Sequence, residues 1–95
     1  MHQLGVNVRG YTAVHIHDFL DGTYSAKPVA HYANNEAIAK ALCNAYGARE
    51  HYLTEQDRFE VFEGHWNPEG KGGIVTKLCA KGQMGADGNI VWSKA

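Results

Sequence analysis

The chain has little cysteine, little proline and no long apolar run, and each shortage closes off a class of protein. Only Cys43 and Cys79 are present, too few for the disulfide lattice of a small secreted domain. Two free buried thiols, one on a helix and one on a strand, are expected ahead of a single bridge. Only Pro28 and Pro68 occur, so nothing reads as a proline-rich linker. No stretch approaches the roughly 18 apolar residues that a membrane-spanning helix needs. The start Met-His-Gln-Leu-Gly lacks the basic-then-apolar layout of a secretion signal, so a cytoplasmic location is expected. A net charge of −1 also lacks the basic excess of a typical nucleic-acid binder.

What is there fits one globular domain. Ninety-five residues, 44% hydrophobic and 20% charged, suffice for a single core without a second unit. The near-neutral total hides an uneven distribution. Residues 50–69 hold six acidic groups, Glu50, Glu55, Asp57, Glu60, Glu63 and Glu69, against Arg58 alone. Such a segment repels nucleic-acid phosphate and favours a basic partner, unless the carboxylates are a solvated strand face and turn.

Element by element, the chain reads β-β-α-β-β-β, an antiparallel sheet with one helix packed on one face. Asp21-Gly22 suits a two-residue type I′ turn, which makes Tyr11 to Tyr32 a hairpin with Leu20 facing Thr23. In that register Phe19 opposes Tyr24, His17 opposes Ala26, His15 opposes Pro28 and Ala13 opposes Ala30. A one-residue change in the turn would shift every partner. Asn34 or Asn35 can cap a helix over 35–46, with Glu36 in its first turn, an apolar stripe of Ile38, Ala41, Leu42 and Ala45, and Gly47 as its stop. Arg49 to Leu53 is a candidate for a further short strand, Thr54 to Asp57 is a turn or alternatively a helical start at Thr54, and Arg58 to Phe62 is the clearer strand, with Phe59 and Val61 on one face. A glycine-rich loop spans Gly64 to Gly73. Ile74 to Lys81 and Ile90 to Trp92 then form a second hairpin about Asp87-Gly88.

The chemistry on offer is narrow. His15 and His17 project from one strand face at metal-ligand spacing, and a zinc site would need a third ligand from His31, His51, His65, Asp18 or a cysteine. The alternative is a half-exposed strand face or contact surface. The Gly64 to Gly72 loop fails as a phosphate cradle because five residues separate Gly64 from Gly70 and glycine follows Lys71. Trp66 on that loop is a candidate binding anchor, or else closes the core edge. Cys43 in mid-helix and Cys79 in mid-strand lack the setting of an activated thiol. Lys71, Lys77, Lys81 and Lys94 give the last hairpin a basic side, but without interleaved aromatics direct nucleic-acid binding is not expected.

In size and element order the chain resembles small phage-encoded inhibitors, among them anti-CRISPR proteins. The resemblance is one of fold and carries no residue roles. Taken together, the residues point to a non-enzymatic protein-binding module, an inhibitor or adaptor without cofactor. It would meet a larger basic or nucleic-acid-binding partner through Glu55, Asp57, Glu60, Glu63 and Trp66. The rivals are a zinc-binding domain or metal-dependent hydrolase built on His15 and His17, and a nucleic-acid binder using the lysine-rich hairpin.

Overall fold

The computed structural model describes residues 10–50, 53–64 and 77–95. Its elements are β1 (Tyr11–Asp18), β2 (Tyr24–Ala33), α1 (Glu36–Arg49), β3 (Asp57–Glu63), β4 (Lys77–Met84) and β5 (Ile90–Lys94). The five strands form one antiparallel sheet in the order β2-β1-β3-β4-β5, and α1 packs over β1, β2 and β3. Both β2 and β3 run antiparallel to β1, so they are parallel to each other with β1 between them. A hairpin cannot make such a connection, and α1 is the crossover that does. This is the α+β domain expected from the sequence. All of the expected loop over 64–73 but Gly64, with Trp66, and the start of the expected strand at Ile74, lie outside the described residues.

Asn35 caps α1, its side chain accepting the Ile38 N–H at 2.8 Å, as the asparagine pair suggested. The buried face differs from the expected stripe. Ala39, Cys43, Tyr46 and Gly47 face the sheet, whereas Ile38 and Leu42 are 40% and 43% exposed. Apart from Tyr46, the inner face carries the smaller residues because the sheet supplies the bulk: Phe59 and Val61 of β3 are fully buried against it. Small on large lets the helix axis lie close to the strands at native density. Gly47 does not stop the helix, which continues to Arg49, with Glu50 N–H bonded to the Tyr46 carbonyl at 3.0 Å. The strand expected from Arg49 therefore does not begin there. A Cβ on Gly47 would sit 3.4 Å from Ile90, at ordinary contact distance.

The first hairpin turns where expected but through a longer loop. Phe19 N–H bonds the Thr23 carbonyl at 3.0 Å, leaving Leu20, Asp21 and Gly22 in the loop, with Leu20 at φ +63° and Gly22 at φ +93°. The Asp21 carboxylate accepts both the Thr23 N–H at 2.9 Å and the Thr23 hydroxyl at 2.6 Å, an Asx-type closure in place of the two-residue turn. The extra residue shifts the partners by one: His17 faces Ser25, His15 faces Lys27 and Asp18 faces Tyr24. An irregularity at Ala13/Val14 then restores the expected Ala13 to Ala30 pair. The second turn repeats the device, with Asp87 accepting the Asn89 N–H at 3.0 Å beside Gly88 at φ +86°.

On the face of the sheet away from α1, Thr12, Val14 and Ile16 are buried too, so β1 is buried on both sides and not half-polar as its alternation suggested. Across from Val14 and Ile16 stand Glu60 and Arg58, whose long side chains can cover apolar neighbours while their charged ends reach water.

Two substitutions separate this packing from the expected one. Phe59→Ala should cost about 3–5 kcal/mol and Leu42→Ala less than about 1 kcal/mol in denaturant unfolding. Equal costs would put Leu42 in the core. Gly82→Ala should also destabilise, by about 1–3 kcal/mol, since its Cβ would sit 2.6 Å from Ile90 and 2.9 Å from Trp92.

Candidate functional site

β3 alternates inward Asp57, Phe59 and Val61, so the face that buries the aromatic also buries a carboxylate. Asp57 is 2% exposed. A charge removed from water is tolerated only when its oxygens are bonded, and both are. Oδ2 accepts the Thr54 N–H at 2.8 Å across the tight turn before the strand. Oδ1 takes two imidazoles, His15 Nε2 at 2.7 Å and His17 Nδ1 at 2.8 Å. The turn is itself pinned: Gln56 exchanges hydrogen bonds with Asp18, and the Gln83 side chain donates to the Glu55 carbonyl at 2.7 Å. Burial pushes the Asp57 carboxyl up, but the Thr54 N–H and the two histidines outweigh it and hold the group below the usual carboxylate range.

The two histidines are not equivalent. His15 is buried, stacked on Phe59 with ring centroids 5.1 Å apart, and its second nitrogen meets the Tyr46 hydroxyl at 2.9 Å. Both His15 nitrogens are thereby engaged, Nε2 with the Asp57 carboxylate and Nδ1 with the Tyr46 hydroxyl. The His17 side chain is 33% exposed, and only its Nδ1 is bonded to the carboxylate. Its Nε2 is the ring nitrogen left over. His17 lines a recess of about 300 Å³ with His15, Phe19, Ser25, Ala26, Lys27 and Asp57. The Phe19 ring stands edge-on to His17 at 4.9 Å, and Lys27 extends over the Tyr46 ring at 5.8 Å.

The residues singled out in the sequence are thus redistributed. His15 and His17 do share a face, but their ring nitrogens aim at one carboxylate oxygen, and His15 has no nitrogen to spare. Among the described residues no group of three or more His, Cys, Asp or Glu is disposed to hold a metal ion. Asp57 is no surface charge, because it is consumed inside the fold. Glu55 is exposed in the turn at one end of β3 and Glu63 is exposed at the other, roughly 20 Å away along a seven-residue strand. Glu60 lies between them beside Arg58, across from Lys81. The acidic quartet is therefore not one patch. Trp66 lies outside the described residues. Cys43 and Cys79 are free, and burial pushes the Cys43 thiol up to about 12, which makes it inert at neutral pH.

Sequence reading missed Ser25, Lys27 and Tyr46, and it missed the exposure of the hairpin end. There Phe19 is 51%, Leu20 83% and Tyr24 62% exposed. Among the described residues no helix is long and apolar enough to cross a membrane. No family model, curated protein or solved structure matches the chain.

The lowered Asp57 carboxyl has a stability consequence with a definite sign. Folding holds this group ionised more strongly than the unfolded chain does, so its contribution is present near neutrality and is lost as pH falls through the carboxylate range. Asp57→Asn should be about 1–3 kcal/mol less stable than wild type at pH 6. Below about pH 4 the gap should close. A gap constant from pH 6 to pH 3 in urea unfolding would mean that the ionised form contributes nothing.

Proposed function

We propose that the chain is a protein-binding module of inhibitor or adaptor type, acting in the cytoplasm on a larger partner, with the end of the β1–β2 hairpin as its contact surface. One observation carries this reading. Leu20 is 83% exposed and sits at φ +63°, a left-handed conformation that costs a residue with a Cβ about 1–2 kcal/mol. Its side chain stabilises nothing in the fold, and glycine would fit the turn better. A leucine kept in strain and in water is accounted for by something that covers it. Phe19 and Tyr24 at the same hairpin end are also exposed, and large apolar side chains of this kind are where protein interfaces concentrate their energy.

Charge has the lesser role. Of the acidic residues, Asp21 and Glu55 border this end of the sheet, where they would speed the approach of a basic or nucleic-acid-binding partner more than hold it. Such a surface suits a protein with an apolar cleft better than it suits phosphate.

The test separates fold from contact. Affinity capture and mass spectrometry with the untagged protein identify the partner, and binding is then measured with purified components. Leu20→Gly should leave stability unchanged or raise it by up to about 1 kcal/mol while weakening the complex tenfold or more. Glu63→Lys, at the far end of β3, should change neither. A Leu20→Gly protein that binds as tightly as wild type would refute the assignment.

A further inference from the structure

Beside the hairpin end, the recess over His17 has a charge balance that specifies a ligand. Its floor holds one anion, the Asp57 carboxylate, 2.8 Å from His17 Nδ1. The groups facing His17 are His15 on its own strand, Ser25 and Lys27 on β2, Asp57 on β3, and Tyr46 of α1 behind His15. Of these, His15 has both its nitrogens engaged and offers the recess no further donor, and Lys27 is cationic. With His17 neutral, Lys27 and Asp57 cancel. When His17 takes a proton on Nε2, one positive charge is left over, together with a new N–H donor at the recess, the Lys27 ammonium and the Ser25 hydroxyl. The Phe19 ring supplies an apolar wall, and a volume of about 300 Å³ is at the lower end of small-molecule sites.

From this arrangement we propose that the recess is a proton-linked binding site for a carboxylate carried on a small apolar or aromatic body. The carboxylate accepts from His17 Nε2–H, Lys27 and Ser25, the apolar body lies along Phe19, and binding draws a proton onto His17. Asp57 acts as a positioning residue: its bond to Nδ1 fixes which ring nitrogen is presented and steadies the imidazolium once formed. The carboxylate can belong to a free organic acid or to the C-terminus of a polypeptide, which share this chemistry. The inference rests on the recess and not on Leu20, so it stands or falls apart from the partner reading.

Binding of benzoate and of its neutral counterpart benzamide, followed by NMR shifts of the His17 and Phe19 side chains, decides the matter. Imidazoles change charge between pH 5 and 8. Benzoate should therefore bind at least tenfold more tightly at pH 5.5 than at pH 8.5, whereas benzamide should bind weakly and alike at both. His17→Gln should abolish the pH dependence, and Lys27→Met should weaken benzoate without affecting benzamide. Each variant is first shown to keep the wild-type backbone spectrum. Calorimetry of benzoate in two buffers of different ionisation enthalpy should reveal proton uptake at pH 7.5. A Gly-Gly-Phe peptide with a free C-terminus, compared with its amide, distinguishes the sources: tenfold tighter binding than benzoate assigns the site to a polypeptide end, and the reverse assigns it to a free acid. Equal binding of benzoate and benzamide, a pH dependence that survives in His17→Gln, or no shift at His17 up to the solubility limit would overturn the proposal.

Discussion

A single buried carboxylate sets most of this structure. Asp57 must have its lone pairs occupied, and the donors come from the turn before β3 and from two positions on β1, with Tyr46 of α1 bonded behind one of them. Removing one partner of a buried charge leaves the rest uncompensated at a cost of several kcal/mol, far more than a typical exposed ion pair contributes. A slip of β1 by one residue would turn both histidines to the other face and leave Asp57 bare. The register of β1 on β3 is therefore held by polar satisfaction as well as by apolar burial, and through His15 and Tyr46 the same network sets where the helix rests.

The network also divides the labour between two residues of one type. His15 is stacked, buried and bonded at both nitrogens. His17, two residues on, keeps one bond and an open side. The difference comes from depth alone: one position nearer the end of the sheet puts the ring at the mouth of the recess instead of beneath the helix. Like carboxylates placed in unlike surroundings, like imidazoles acquire different chemistry from their setting.

The sequence was legible where local rules act and illegible where a long-range partner decides. Element order, both Asp-Gly turns and the Asn35 cap follow from turn and capping chemistry, which is set by neighbouring residues. The hairpin register escaped because a strained Leu20 is not anticipated from propensity, and one added loop residue moves every pair up to the irregularity at Ala13. The helix face escaped because α1 carries two apolar sets. Ile38, Ala41, Leu42 and Ala45 are the more hydrophobic set, but Ala39, Cys43, Tyr46 and Gly47 fit a sheet whose own side chains fill the volume. The buried carboxylate was within reach: extending the Phe59 and Val61 alternation back by two places Asp57 inside, and Thr54 three residues earlier is the donor its turn needs.

Placing the anchors next to this network has an energetic logic. Association spends free energy on ordering loops and side chains, so a contact loop that is already ordered binds more tightly for the same area. The Leu20 turn is closed by Asp21 against Thr23, and the strand leading to it is tied to β3 at His17 and Asp18. Rigidity there is supplied by hydrogen bonds and by the buried carboxylate, not by a core beneath the loop. That leaves the large side chains of the hairpin end unused by folding. It also places His17 and its recess at the base of the loop, on the same strand that presents Leu20.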